Sequence, residues 1–439
     1  MGCGELSGRL FPIEPERADS AAMEGAVARG KKARRWLLTR DFSFIWWSQV
    51  LSQVADGVSK LALLWFVYAI TGSPVKTTMI GLLQTLPPIL LGPFIGVLVD
   101  RLPKKAILIV SDVARGILIG FVPCLVSVPE FTVGSLYLLV FLYGIATAVF
   151  VPTLSSAVPF MVPKPQFTAA NALLQSTTSL GIIIGPALSG LGIAFSGSQD
   201  VLCWNAATYL ASAACLFPIR LRQTGEAPSW GGGMGAVVRH MMDGVRYALW
   251  MHRNLLLLIL MASVYTFGSG AFTTLFPVFG RNMLGLGPVE VGYLWSWLGV
   301  GFFVTSLVLI RLSDWSLRKR VMTIAVASLV GGLSICALTW VENVGLASVL
   351  VICIGVGFGA WTPIAWGMIQ EIAPAGMVGR VMAVYTAVAT ATSMVGMTFF
   401  GWVAESFGSY VSVVGIGFVL FALSSLSGWF SRRVERVPA

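Results

Sequence analysis

Gly96-Val-Leu-Val-Asp100-Arg101-Leu-Pro-Lys104-Lys105 sets one carboxylate and three cations between two long apolar stretches. Working outward, apolar runs recur along the whole chain. Hydrophobic residues make up 56% of the 439 positions and charged residues 11%. Soluble domains average about 25% charged, so the composition excludes a soluble protein. A helical crossing of the bilayer takes about 20 apolar residues. Twelve such runs are present, at 43–70, 77–99, 106–128, 134–158, 169–195, 201–219, 254–279, 288–310, 321–340, 344–370, 381–404 and 410–430. They are continuous rather than alternating, which predicts helices and not a barrel. The fold class is an all-α integral membrane protein of twelve transmembrane helices.

Basic residues orient the chain. With a cytoplasmic N-terminus, the inner segments hold 25 of the 29 Lys and Arg, and the outer loops hold Lys76 and Arg281 alone. Lys60 and Arg115 fall inside spans. The net charge of +10 then reflects contact with an anionic inner leaflet rather than with nucleic acid. The six cysteines show no metal-ligand spacing, His240 and His252 both fall in one inner loop, and no phosphate-binding loop occurs. Neither a metal, a cofactor nor enzyme chemistry is expected.

The chain divides in the middle. A cytoplasmic tail (1–41) precedes a first six-helix bundle (42–220), a linker (221–253), a second six-helix bundle (254–431) and a tail (432–439). The linker is expected to hold an interfacial amphipathic helix, with Val238, Met241, Val245 and Leu249 on one face and Arg239, Asp243, Arg246 and Arg253 on another. An offset of 211 carries Gly81, Gly144, Pro152, Pro163, Gly185 and Gly190 onto Gly292, Gly355, Pro363, Pro374, Gly396 and Gly401. Two parallel repeats with a site between them are a transporter plan.

The loop from Gly96 to Lys105 resembles the loop motif of the major facilitator superfamily, with Pro103 where a second glycine is usual. Its twin near Asp314 and Arg318 has Ile310 and Trp315 at the glycine and arginine positions. Gly181-Ile-Ile-Ile-Gly185-Pro186-Ala-Leu-Ser-Gly190 is similar to a motif of exporters in that superfamily. Arg40-Asp41-Phe42, Thr71-Gly72-Ser73 and Ala170-Asn171-Ala172-Leu173 resemble the branch with macrolide efflux proteins and the enterobactin exporter. Span four lacks the arginine motif of many drug antiporters. The resemblance implies two pseudo-symmetric six-helix bundles that rock about a central cavity lined partly by span one.

Gln49, Gln53, Asp56 and Lys60 form one stripe on span one. A carboxylate near mid-membrane costs about 2.5–3.5 kcal/mol on insertion scales, so the stripe is expected to face a watery cavity. Burial penalises the charged form and a nearby ammonium favours it. Asp56 and Lys60 are therefore proton-coupling candidates, with a self-neutralising Asp56–Lys60 pair as the plainer reading. Asp112 and Arg115, three residues apart, read as a structural ion pair. Asp100 and Arg101 are gating candidates, and Lys104 and Lys105 serve topology. Gly181, Gly185, Pro186 and Gly190 predict a close helix seam. Tyr265, Ser269, Thr273, Trp361, Trp366, Tyr385 and Thr392 are candidate substrate contacts suited to an amphipathic ligand. The expected function is a monomeric secondary exporter in a bacterial plasma membrane, with both termini cytoplasmic. It would exchange protons for drugs such as macrolides, or siderophores. A metabolite importer or uniporter, or a receptor without transport, are the alternatives.

Overall fold

A computed structural model describes residues 40–126, 132–162, 167–220, 242, 245–247, 253–310, 316–374 and 377–434. All regular elements among them are helices. The chain runs through α1 (Arg40–Thr71), α2 (Pro74–Arg101), α3 (Lys104–Val126) and α4 (Val133–Ala157), and then Phe167–Leu216. The 50 residues of Phe167–Leu216 would span about 75 Å if straight, against a hydrocarbon core of about 30 Å. They bend at Gly197, whose φ of 90° lies where side chains are disfavoured. Gly185 and Asn205 both meet α1 within one turn, at Gly57 and Ser59. The segment is therefore a hairpin of two crossings, α5 (167–196) and α6 (198–216).

The second half contains α7 (Arg253–Leu284), α8 (Pro288–Ile310), α9 (Leu317–Ala337), α10, α11 (Val378–Phe407) and α12 (Ser409–Val434). Helix α10 comprises Val344–Gly359 and its continuation Trp361–Ile372. Among the described residues, ten stretches are long and apolar enough to cross a membrane. Adding the 28-residue α2 and dividing the hairpin brings the crossings to twelve. The predicted linker helix lies outside the described residues except at Met242, Val245, Arg246 and Tyr247, which are helical, and at Arg253, which opens α7.

The turn between α1 and α2 shows why crossings end where they do. Gly72 takes a left-handed φ of 61°. Ser73 then caps α2 by accepting from the Lys76 N–H, and Pro74 starts the helix without an orphan donor.

The sequence repeat reappears as repeated contacts. Gly185 of α5 rests on Gly57 of α1, and Gly396 of α11 rests on Phe267 of α7. Gly144 of α4 meets Leu83 and Pro87 of α2, and Gly355 of α10 meets Leu298 and Gly301 of α8. Between the halves, Gly190 of α5 meets Gly292 of α8, and Gly401 of α11 meets Thr78 of α2. Each pair maps onto its partner at nearly the same offset, so the glycines mark equivalent helix crossings in two pseudo-symmetric bundles. Lacking side chains, they let backbones touch where lipid supplies no hydrophobic drive.

A Cβ built on Gly185 would lie 2.7 Å from Gly57 Cα and 2.9 Å from Val54 O, both backbone atoms that cannot step aside. Gly185→Val should therefore cost at least the ~1–3 kcal/mol typical of overpacking. A lowered melting temperature of the detergent-solubilised protein would register it. Gly367→Ala, where a Cβ meets nothing within 4 Å, should leave melting unchanged.

Candidate functional site

The polar heart of the first bundle is Arg115 on α3. Its side chain is 0% exposed. Nη1 donates to both Asp56 oxygens on α1, at 3.0 and 3.3 Å. Nη2 donates to Asp112 Oδ1, one turn back on α3, and to Ser52 Oγ at 2.8 Å. The guanidinium carbon lies 4.3 Å from the Phe150 ring centroid and 4.9 Å from that of Tyr209. These two rings and two carboxylates enclose a cation that hydrocarbon would reject.

Each carboxylate has further donors. Asp56 Oδ1 accepts from the Tyr209 hydroxyl at 2.6 Å and lies 3.0 Å from that of Tyr143, and the two hydroxyls are 2.8 Å apart. Asp112 Oδ2 lies 2.7 Å from Ser212 Oγ, which also contacts Ser48. Helices α1, α3, α4 and α6 thus meet in one network. Asp112 is 0% exposed and Asp56 25%, so Asp56 is the member nearest the opening. The expected separate pair, Asp112–Arg115, is present, but it is fused with Asp56.

The stripe on α1 divides. Gln49 is buried, Gln53 and Asp56 are half-buried, and Lys60 is exposed. Lys60 does not neutralise Asp56: it makes no ion pair among the described residues. Its ammonium lies 5.5 Å from the Trp295 ring centroid on α8, in the opposite half. That contact orients the outer end of the stripe toward the space between the halves.

Several polar contacts between the halves lie toward the membrane face opposite the termini. The Tyr68 hydroxyl donates to Asn282 at 2.6 Å, and Asn282 donates to Ser409 at 3.0 Å. Glu405 at the end of α11 accepts from the Ser73 hydroxyl and from the Val75 N–H at the start of α2. Arg281 lies 5.8 and 5.7 Å from the ring centroids of Trp65 and Tyr68. Deeper down, α2 and α11 flank an apolar groove of about 590 Å³ lined by Leu82, Leu86, Ile89, Ala391, Met394, Val395, Thr398 and Phe399. The molecule is closed at this far face.

Gly181 and Gly185 face α1, while Pro186 and Gly190 face α8 of the other half, against Gly292 and Pro288. Pro186 has no N–H for the carbonyl of Ile182, and Gly299 of α8 packs beside that carbonyl. The glycine and proline motif therefore forms a three-helix seam between the halves.

The second bundle holds rings where the first holds charges. Tyr265 stacks on Trp361 at 5.3 Å and donates to Phe358 O, and Trp361 donates to the Tyr385 hydroxyl at 2.8 Å. Trp361 is buried, and these polar atoms are occupied by one another. Ser269, Thr273 and Thr392 are half-buried, and Trp366 is exposed. The Thr273 hydroxyl turns back to its own helix, and that of Thr392 meets Thr266 across to α7. At the terminus face, Gly96 and Asp100 belong to α2, Arg101 is exposed, and Lys104 donates to Val99 O at 3.3 Å. Asp314 lies outside the described residues, and Arg318 is exposed at the start of α9.

Tyr143, Tyr209, Ser212 and Glu405 were not singled out from the sequence. A lone tyrosine or serine in an apolar span carries no periodic signal. Glu405, two residues before the end of α11, offered only an acidic residue near a helix end.

The Major Facilitator Superfamily profile matches residues 45–397. Macrolide efflux protein A of Streptococcus pyogenes is 23% identical over 86% of this chain and 92% of its own length. The multidrug efflux pump Tap of Mycolicibacterium fortuitum is 25% identical over 87% of this chain and 93% of its own. A nucleoside transporter structure superposes with a TM-score of 0.71 at 10% identity, covering 91% of this chain and 99% of that one. An inward-facing bacterial homologue of the lysosomal transporter Spinster gives 0.69 at 14%, with the same coverage. The chain belongs to the major facilitator superfamily. It is a multi-pass membrane transporter, not an enzyme.

Removing the shared cation leaves two carboxylates facing each other in a buried site. Arg115→Met should destabilise the protein by about 3–5 kcal/mol, the usual cost of stripping one partner from a buried pair, and thermal unfolding in detergent would measure it. At the far face, Glu405→Gln weakens both acceptor contacts that join α11 to α2. Spin labels on those two helix ends should then report a larger population at long distance, and an unchanged distribution would count against Glu405 as a latch.

Proposed function

We propose that this transporter is a proton-coupled exporter of amphipathic small molecules, macrolide-like drugs among them, working by alternating access in a bacterial plasma membrane. The observation that carries the reading is the network around Arg115. Two carboxylates share one guanidinium inside the membrane, and one of them, Asp56, is partly exposed. Such a group is costly unless used, and a carboxylate that can be neutralised by a proton suits coupling to a gradient. Efflux is supported by the names of relatives at 23% and 25% identity. An amphipathic substrate is supported by the apolar groove between α2 and α11, which borders both halves.

Both termini are cytoplasmic in this reading, because the basic residues gather on their face and the inner leaflet is anionic. The face held by Tyr68, Asn282 and Glu405 is then the outer one. The charged loop of Arg101 and Lys104 is at the inner face, where a second latch would act. The protein acts as a monomer with its substrate and protons as partners, and the unit boundaries are bundles at 42–220 and 254–431.

Expression in an efflux-deficient bacterium should raise resistance to macrolides or cationic dyes. Asp56→Asn, which cannot ionise, should abolish uphill export per molecule of protein in the membrane. Equal resistance from both proteins would remove Asp56 from the coupling step, and no resistance to any compound would remove the exporter reading.

A further inference from the structure

Each bundle has an apolar groove on its flank. In the first, α2, α3 and α4 enclose about 660 Å³. In the second, α8, α9 and α10 enclose about 570 Å³. The two are copies of one feature. At the offset of 211, Leu98, Ile145 and Val149 of the first groove become Leu309, Val356 and Ala360 of the second. Each groove is lined from one bundle, so neither belongs to the space between the halves. Val304, Val308, Met322 and Val326 line the second groove and are exposed. Helix α9 packs on α10 through Gly331 and Gly357, and on α12 through Gly332 and Gly417. The exposed walls lie away from the α12 contact, so in a bilayer they meet acyl chains.

The copies differ at one end. Helices α3 and α9 correspond along the grooves at an offset of 213. Ala106 and Val110 of the first stand where Lys319 and Thr323 stand in the second. Lys319 is exposed in the first turn of α9, on the face of the termini. It makes no ion pair among the described residues. Its neighbour Arg320 is committed to Glu371. Beside the first groove, Lys104 donates to Val99 O and lies 5.6 Å from the Phe160 ring centroid, and Lys105 donates to Phe217 O at 2.6 Å. Lys319 is thus a cation at the mouth of an apolar groove, with no protein carboxylate to answer it.

One lipid molecule meets both parts at once. Its acyl chain gains van der Waals contact on several sides in the groove. Its phosphate lies at the level of the helix ends, where a lysine stem reaches. Basic pockets between membrane helices on the cytoplasmic side hold anionic headgroups in this way. A zwitterionic headgroup carries its own cation and leaves Lys319 without a net counter-charge. We propose that the groove of α8, α9 and α10 binds one anionic phospholipid of the phosphatidylglycerol kind, its phosphate at Lys319 and an acyl chain along Val308, Met322 and Val326. The first groove takes acyl chains without selecting a headgroup. The site stands apart from proton coupling and from the direction of transport.

The test is native mass spectrometry of the full chain in detergent, titrated with equal amounts of phosphatidylglycerol and phosphatidylcholine bearing the same acyl chains. The wild type should retain one phosphatidylglycerol in preference to phosphatidylcholine. Lys319→Ala should lower that preference about fivefold, the ~1 kcal/mol of one cation beside anionic lipid. Val326→Trp, which fills the groove and keeps the charge, should also lower it. Ala106→Lys, exposed in the equivalent groove, should restore the preference when added to Lys319→Ala. No preference in the wild type, an unchanged preference in Lys319→Ala or Val326→Trp, or no gain from Ala106→Lys would overturn the proposal. Release of the lipid by inorganic phosphate would reassign Lys319 to a free anion and overturn it too.

Discussion

One guanidinium shared by two carboxylates organises the first bundle. Hydrocarbon tolerates a charge only where partners replace water, so the four helices that touch Arg115 must arrive with donors and acceptors in register. Helix α1 brings Ser52 and Asp56, α3 brings Asp112, α4 brings Tyr143, and α6 brings Tyr209 and Ser212. Truncating any of these leaves a buried polar atom unmet. The backbone seams follow the same need. Gly57 and Gly185 bring α5 against α1 without side chains between them, and Asn205 of α6 ties to Ala55 O and Ser59 on α1. The α5–α6 hairpin thus grips α1 beside the network.

The repeat preserves the crossings but not the chemistry. At the position one bundle fills with Asp56, Arg115 and two tyrosines, the other stacks Tyr265, Trp361 and Phe358. Rings pack in lipid without counter-ions, so the second bundle needs no titrating group to hold together. The buried charges of the described spans therefore sit in one half, and the other half meets them with stacked rings. This asymmetry extends the one already visible in the loops, where the second copy of the charged turn lacks its glycine and first arginine.

Much of the architecture was readable from residues. Twelve apolar runs give twelve crossings, and the glycine offset marks contacts that the structure places in pairs. The stripe of Gln49, Gln53, Asp56 and Lys60 was readable because helical periodicity is local. Its partners were not. Arg115 reaches Asp56 across 59 positions of chain, and its neighbour Asp112 offered a closer and seemingly sufficient explanation. Lys60, one turn from Asp56, looked like the natural counter-ion, yet it reaches toward Trp295 of the other half. Adjacent spacing on a helix permits a pair without requiring it, and a rigid fork with several donors competes better for a carboxylate than a flexible ammonium does.

The two ends of α1 connect this network to the motion between halves. Lys60 touches α8 one turn beyond Asp56, and Tyr68, two turns further, holds Asn282 at the far-face seal. Helix α1 is therefore the element common to the Arg115 network and to the far-face contacts, and it meets α5 along a glycine seam. Moving charge at Asp56 changes how strongly α1 is held to α3, α4 and α6. The same helix, displaced by even a fraction of a turn, alters the reach of Tyr68 and Lys60 to the other half. Coupling of this kind requires no long chain of intermediates, because one helix with two alternative packings is biased from both ends. The first bundle's excess of polar contacts is thus placed where a small change in charge meets the contacts that decide which face is open.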